Sequence, residues 1–98
     1  MQIDFTLKNT RTTGGEIKDF LNDKTAKLEK YFQGRISAKW VISYENEEHV
    51  SHLHVTGNAG EYFGEARQHN LFSAIEEAVD RVERQLIKHK EILKDHHK

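Results

Sequence analysis

Residues 70–98, NLFSAIEEAVDRVERQLIKHKEILKDHHK, decide how the rest of the chain folds. Leu71, Phe72, Ile75, Ala78, Val79, Val82, Leu86 and Leu93 recur at spacings of three and four, the apolar stripe of a long amphipathic helix. Asn70 stands where an N-cap belongs, its side-chain oxygen placed to accept a free N–H of the first turn. Glu76, Glu77 and Asp80 follow toward the positive end of the helix dipole, and Lys88, Lys90 and Lys94 gather toward the negative end. Advancing about 100° per residue, Arg81, Arg84 and Lys88 fall on one flank beside the stripe. One face packs and the next is offered to an anion.

Such a stripe needs a surface, and the preceding residues supply one. Tyr62, Gly64, Ala66 and Gln68 alternate with Phe63, Glu65, Arg67 and His69, a strand whose small residues let a helix approach closely. Gly57 to Gly60 reads as a hairpin loop before it. Further upstream, His49 to Thr56 puts Ser51, Leu53 and Val55 on one face and His52, His54 and Thr56 on the other. Glu45 to Glu48 is an acidic turn, and Ile36, Ala38, Trp40, Ile42 and Tyr44 alternate as another strand.

Ile17, Phe20, Leu21, Leu28, Tyr31 and Phe32 mark one helix, capped by Thr12 or Thr13 and ended by Gly34. Met1, Ile3, Phe5 and Leu7 alternate as the first strand. The order is β-α-β-β-β-α without internal repeat. The expected fold is α+β, a two-layer sandwich of a four-stranded sheet with two helices on one face. Residues 1–98 are expected to form a single domain, with about 95–98 as a disordered tail.

With 36% hydrophobic and 32% charged residues, the chain fits a soluble globular class, and no apolar run approaches the roughly 20 residues of a membrane span. It contains no cysteine and no N-terminal apolar region with a cleavage site, so disulfides, thiolate chemistry and export are not expected, and a cytoplasmic location is. Net charge is −1, but its distribution is uneven. Lysine and arginine outnumber acids up to Tyr44 and again from Arg81 onward, while Glu45 to Ala66 carries acids only.

No P-loop, GxSxG, HExxH or CxxC pattern occurs, so no enzyme activity, cofactor or small-molecule substrate is expected. His52 and His54 share a strand face, yet no third ligand stands at motif spacing, and no metal site is assigned. The basic flank Arg81, Arg84 and Lys88 would be joined by Lys24, Lys27 and Lys30 if both helices pack side by side. Several cations on rigid elements can read phosphates and release counterions. Equally, Glu77 with Arg81 and Asp80 with Arg84 are ordinary i,i+4 pairs on a solvated face, and charge alone leaves both readings open. Lys24, within the first apolar stripe, is either a snorkelling lysine or a cation at the helix edge. Without an RRM aromatic pair or a GxxG loop, shape and backbone recognition of folded RNA fits better than base stacking.

The segment Lys27-Leu28-Glu29-Lys30-Tyr31-Phe32, the entry Ile36-Ser37-Ala38, and above all Asn70 to Ile75 leading to Asp80 through Lys90 resemble the ribosome hibernation promoting factor and ribosome-associated inhibitor family. The resemblance spans nearly the whole chain. It implies a double-stranded-RNA-binding-domain-like fold that binds the small subunit of the 70S ribosome at 16S rRNA. There it would occupy the decoding channel over the tRNA and mRNA sites during stress or stationary phase. By the motif match the rRNA-binding role would fall to Arg81, Arg84, Lys88 and Lys90, with Lys24, Lys27 and Lys30 on the first helix. The free protein is expected to be a monomer. Many members carry a basic residue in place of Ile87 and leucine in place of Thr25. Because the chain stops after Lys98, it resembles the short form. The competing expectation is a protein-binding regulator of the sigma-factor-modulating type, docking through Glu45, Glu47 and Glu48 or an exposed Phe63 without touching RNA.

Overall fold

The structure is a computed structural model that describes the backbone of residues 1–10, 14–58 and 60–96 and side chains within that range up to residue 89. The elements are β1 (Gln2–Lys8), α1 (Gly14–Ala26), a single 3₁₀ turn (Glu29–Tyr31), β2 (Ser37–Glu45), β3 (Glu48–Gly57), β4 (Gly60–Gln68) and α2 (Leu71–His96). The expected β-α-β-β-β-α order and α+β class hold. Of the expected tail at 95–98, residues 95 and 96 have helical backbone, and 97 and 98 lie outside the described residues. The cap expected at Thr12 or Thr13 also lies outside them.

The sheet runs β1-β2-β3-β4. β1 is parallel to β2, as a crossover through α1 requires, and β2, β3 and β4 form an antiparallel meander. Two short connections fix the meander's register. Between β2 and β3, Glu45 pairs with Glu48 around Asn46 and Glu47, whose φ values of 51° and 65° are those of a type I′ hairpin turn. Between β3 and β4, Gly57 pairs with Gly60.

Period-two alternation sends Ala38, Trp40, Ile42, Leu53, Val55, Tyr62 and Ala66 into the core, where Leu71, Ile75, Ala78, Val79, Val82 and Leu86 of α2 meet them. α2 lies so close to β4 that a Cβ on Gly64 would collide with the Ala78 carbonyl oxygen and approach Val82 Cγ2 within 3.0 Å. The small residue is therefore what sets the helix-to-sheet distance. At the start of α2, Asn70 Oδ1 accepts from the Ser73 N–H at 3.0 Å, the expected cap. The first turn holds no acid, so Glu76, Glu77 and Asp80 lie too far along for much of the dipole's effect.

The first helix is shorter than its apolar stripe suggests. It ends at Ala26, and the chain tightens through Leu28 N–H to Thr25 O, Tyr31 N–H to Leu28 O and Phe32 N–H to Glu29 O. Thr25 accounts for the break: its buried hydroxyl donates to the Leu21 carbonyl at 2.5 Å and accepts from Trp40 Nε1 at 3.1 Å. The 3₁₀ turn still delivers Leu28 and Phe32 to the core, and Gly34, at φ +84°, redirects the chain into β2. No helix among the described residues is long and apolar enough to cross a membrane.

Candidate nucleic-acid interface

The two helices pack against one another on the core side of the sheet. Phe20 of α1 meets Phe72 of α2 edge to face, with centroids 4.6 Å apart. Immediately after α1, Lys27 Nζ reaches Asp80 Oδ1 at 2.9 Å and Glu83 Oε1 at 3.6 Å. Tyr31 donates its hydroxyl to Glu83 Oε2 at 3.0 Å. The bond to Asp80, foremost, keeps the Lys27 ammonium protonated beyond its ordinary range, against the opposing effect of burial. Burial and then the bond to Glu83 raise the Tyr31 phenol.

The expected cations thus divide by circumstance. Lys24 lies in the last turn of α1, half-buried, with Nζ 5.4 Å from the Phe20 ring centroid, so its stem covers apolar surface while its charge stays at the edge. Lys27 and Lys30 are not on the first helix, contrary to expectation. Lys27 follows its end, and Lys30 sits in the 3₁₀ turn with Nζ 5.3 Å from the Tyr31 ring. On α2, Arg81 binds Glu77 through Nη2 at 2.7 Å and Nε at 3.2 Å. Glu77 also accepts from Gln68 Nε2 at 2.6 Å; that bond, followed by the one from Arg81, holds its carboxyl below the ordinary range. Arg84 and Lys88 are exposed and form no ion pair among the described residues. The Lys90 side chain lies outside them.

Between the two groups runs a feature that the sequence did not disclose. Glu76, Asp80 and Glu83, spaced by four and three, form an acidic ridge along the flank of α2 that faces α1. Asp80 and Glu83 hold Lys27, while Glu76 lines a cleft of about 240 Å³ with Asp23, Lys24, Lys27 and Val79. The cationic surface is therefore two strips beside an acidic seam. Tyr31 and the ridge were missed because their partners are more than fifty residues away in the chain. Ile87 is exposed, as its wheel position predicts.

On the opposite, helix-free face, His52 Nε2 lies 3.0 Å from Glu65 Oε1 and His54 Nε2 lies 2.9 Å from Glu61 Oε1. Phe63, 62% exposed, stacks parallel on His54 with centroids 4.3 Å apart. At the outer edge of this face, Gln85 of α2 donates through Nε2 to the Phe63 carbonyl at 2.7 Å. No group of three potential metal ligands occurs among the described residues.

Fold and surface together define a two-layer β-α-β-β-β-α module with a charged helical side. The chain belongs to the sigma 54 modulation protein / S30EA ribosomal protein family, whose model matches residues 3–94. It is 33% identical over 96 residues to the ribosome hibernation promoting factor of Salmonella typhimurium, covering 98% of this chain and 100% of that one. To the Escherichia coli K12 protein of the same name it is 34% identical with the same coverage. Among solved structures it resembles the N-terminal domain of Thermus thermophilus Protein Y, with TM-score 0.77, 30% identity and coverage of 88% of this chain and 96% of that one. The Coxiella burnetii ribosomal subunit interface protein shares the fold, with TM-score 0.68 at 11% identity and coverage of 89% and 97%.

Proposed function

We infer that the protein is a ribosome-associated hibernation factor acting by occupancy and not by turnover. It binds the small subunit, contacts 16S rRNA phosphates through its helical side, and covers the tRNA and mRNA sites in the decoding channel during stress or stationary phase. Support comes from the family and from relatives named ribosome hibernation promoting factor over the full chain. The observation that carries the RNA contact is the exposure of Arg84 and Lys88 on α2, neither of which forms an ion pair among the described residues. Arg81 accompanies them on α2, Lys24 and Lys30 lie across the acidic seam, and Lys27 and Lys90 complete the proposed set. A cytoplasmic monomer fits this role.

The test is sedimentation through a sucrose gradient. Replacing Arg81, Arg84 and Lys88 by glutamate leaves the fold intact and removes the protein from ribosome fractions; unchanged co-sedimentation overturns the assignment.

A second reading is favoured by the exposed Phe63 on its His54 platform, which would suit a protein partner of a sigma-factor modulator. The two differ in salt response. A phosphate reader loses affinity by orders of magnitude between low and moderate salt if about six contacts form, whereas an apolar protein contact does not.

A further inference from the structure

The groove between α1 and α2 contains more than a phosphate reader needs. At one end, Phe72 is 43% exposed and packs edge to face against the partly buried Phe20 at an interplanar angle of 72°. Such a T-shaped pair is favourable by itself, yet it leaves much of the Phe72 ring in water. Lys24 stands beside the pair, with its ammonium over the Phe20 ring, and also lines the cleft one turn further along. That cleft adds the carboxylates of Asp23 and Glu76. Lys27 is engaged by Asp80 and Glu83, which leaves Lys24 as the groove's cation without an ion pair among the described residues.

An open ring, a cation and carboxylate acceptors are the three complements of one nucleotide: its base face, its phosphate and its exocyclic amino group. We propose that this groove holds a single unpaired nucleotide of the bound RNA, the base stacked on Phe72, the phosphate on Lys24 and the amino edge on Glu76 and Asp23. The site rests on the ribosome-binding function inferred above and adds to it a contact specific for unpaired bases. A duplex backbone has no use for an exposed phenylalanine. An apolar protein anchor gains nothing from the two exposed carboxylates at its margin. Because uracil has no exocyclic amino group, the groove favours cytosine over uracil.

Fluorescence anisotropy with labelled oligocytidylate, oligouridylate and a blunt RNA duplex tests this, using the full chain and three variants. Phe72→Leu keeps an apolar side chain and therefore the fold, to be verified by thermal unfolding. It is expected to weaken oligocytidylate binding roughly tenfold and leave the duplex unaffected. Asp23→Ala with Glu76→Ala is expected to abolish the preference for cytidine over uridine. Arg84→Glu with Lys88→Glu should weaken all three probes alike. Wild-type affinity of Phe72→Leu for oligocytidylate overturns the site, as does a parallel loss on the duplex or a failure of the wild type to bind any single strand. If the wild type does not enter ribosome fractions while Phe72→Leu still loses the single strand selectively, the ribosome function fails and the nucleotide site stands.

Discussion

Lys27 Nζ lies 2.9 Å from Asp80 Oδ1, across 53 residues of sequence, so the chain leaving α1 is tied to the middle of α2 by a charge that the proposed RNA contact also needs. Asp80 and Glu83 bring two negative charges to one ammonium, so at Lys27, unlike at Lys24, which has no ion pair among the described residues, the balance opposes an approaching phosphate. Asp80→Asn is therefore expected to tighten ribosome binding and steepen its salt dependence by about one unit of slope. The exposed ion pair contributes little to folding, and its loss should cost about 0.5 kcal/mol. Binding at several salt concentrations beside urea denaturation checks both; weaker binding would show that Asp80 aims Lys27 at its phosphate.

Thr25 is buried with its hydroxyl between the Leu21 carbonyl and the Trp40 indole N–H. Thr25→Val keeps the shape and removes the acceptor, leaving a buried donor unpaired. Unfolding free energy should fall by about 1–3 kcal/mol. A variant as stable as wild type would mean that Trp40 finds another acceptor.

Gly64→Ala places a methyl group against the Ala78 carbonyl, which belongs to helix backbone and cannot rotate away. α2 must lift from β4, and a loss of about 1–3 kcal/mol is expected in chemical denaturation. No change in the denaturation midpoint would show that the two elements separate freely.

Glu77 has its carboxyl held below the ordinary range, first by Gln68 and then by Arg81. A depressed folded value stabilises the protein above the unfolded carboxylate pKa, near 4.3, and that contribution disappears as pH falls through the lower folded value. Wild type should therefore lose stability more steeply than Glu77→Gln as pH falls below the ordinary carboxylate range, as urea titrations at each pH would show. Parallel curves would remove Glu77 from the acid response.

What could be read from residues alone follows the range of the interaction concerned. Alternation along β2 and β3, the stripe of α2, the Asn70 cap and the small residues of β4 are local patterns that appear where their spacing puts them, except that Phe72 of the stripe and Tyr44 of β2 are exposed and the Leu93 side chain lies outside the described residues. The break after Ala26 escaped because the stripe through Phe32 is compatible with a helix, and only the distant Trp40 reveals why Thr25 turns inward. The acidic ridge escaped for a related reason. Helical spacing displays the Glu77–Arg81 pair on its own helix, but not that Asp80 and Glu83 face a lysine from another element.

The bond from Gln85 to the Phe63 carbonyl bears on how the protein survives crowding. β4 is an outermost strand, and its unsatisfied carbonyls would otherwise invite a neighbouring molecule to zip onto it. A glutamine reaching down from α2 occupies one of those docking points, interrupting the ladder at mid-strand. At high concentration the molecules would then be hindered from polymerising through this rim.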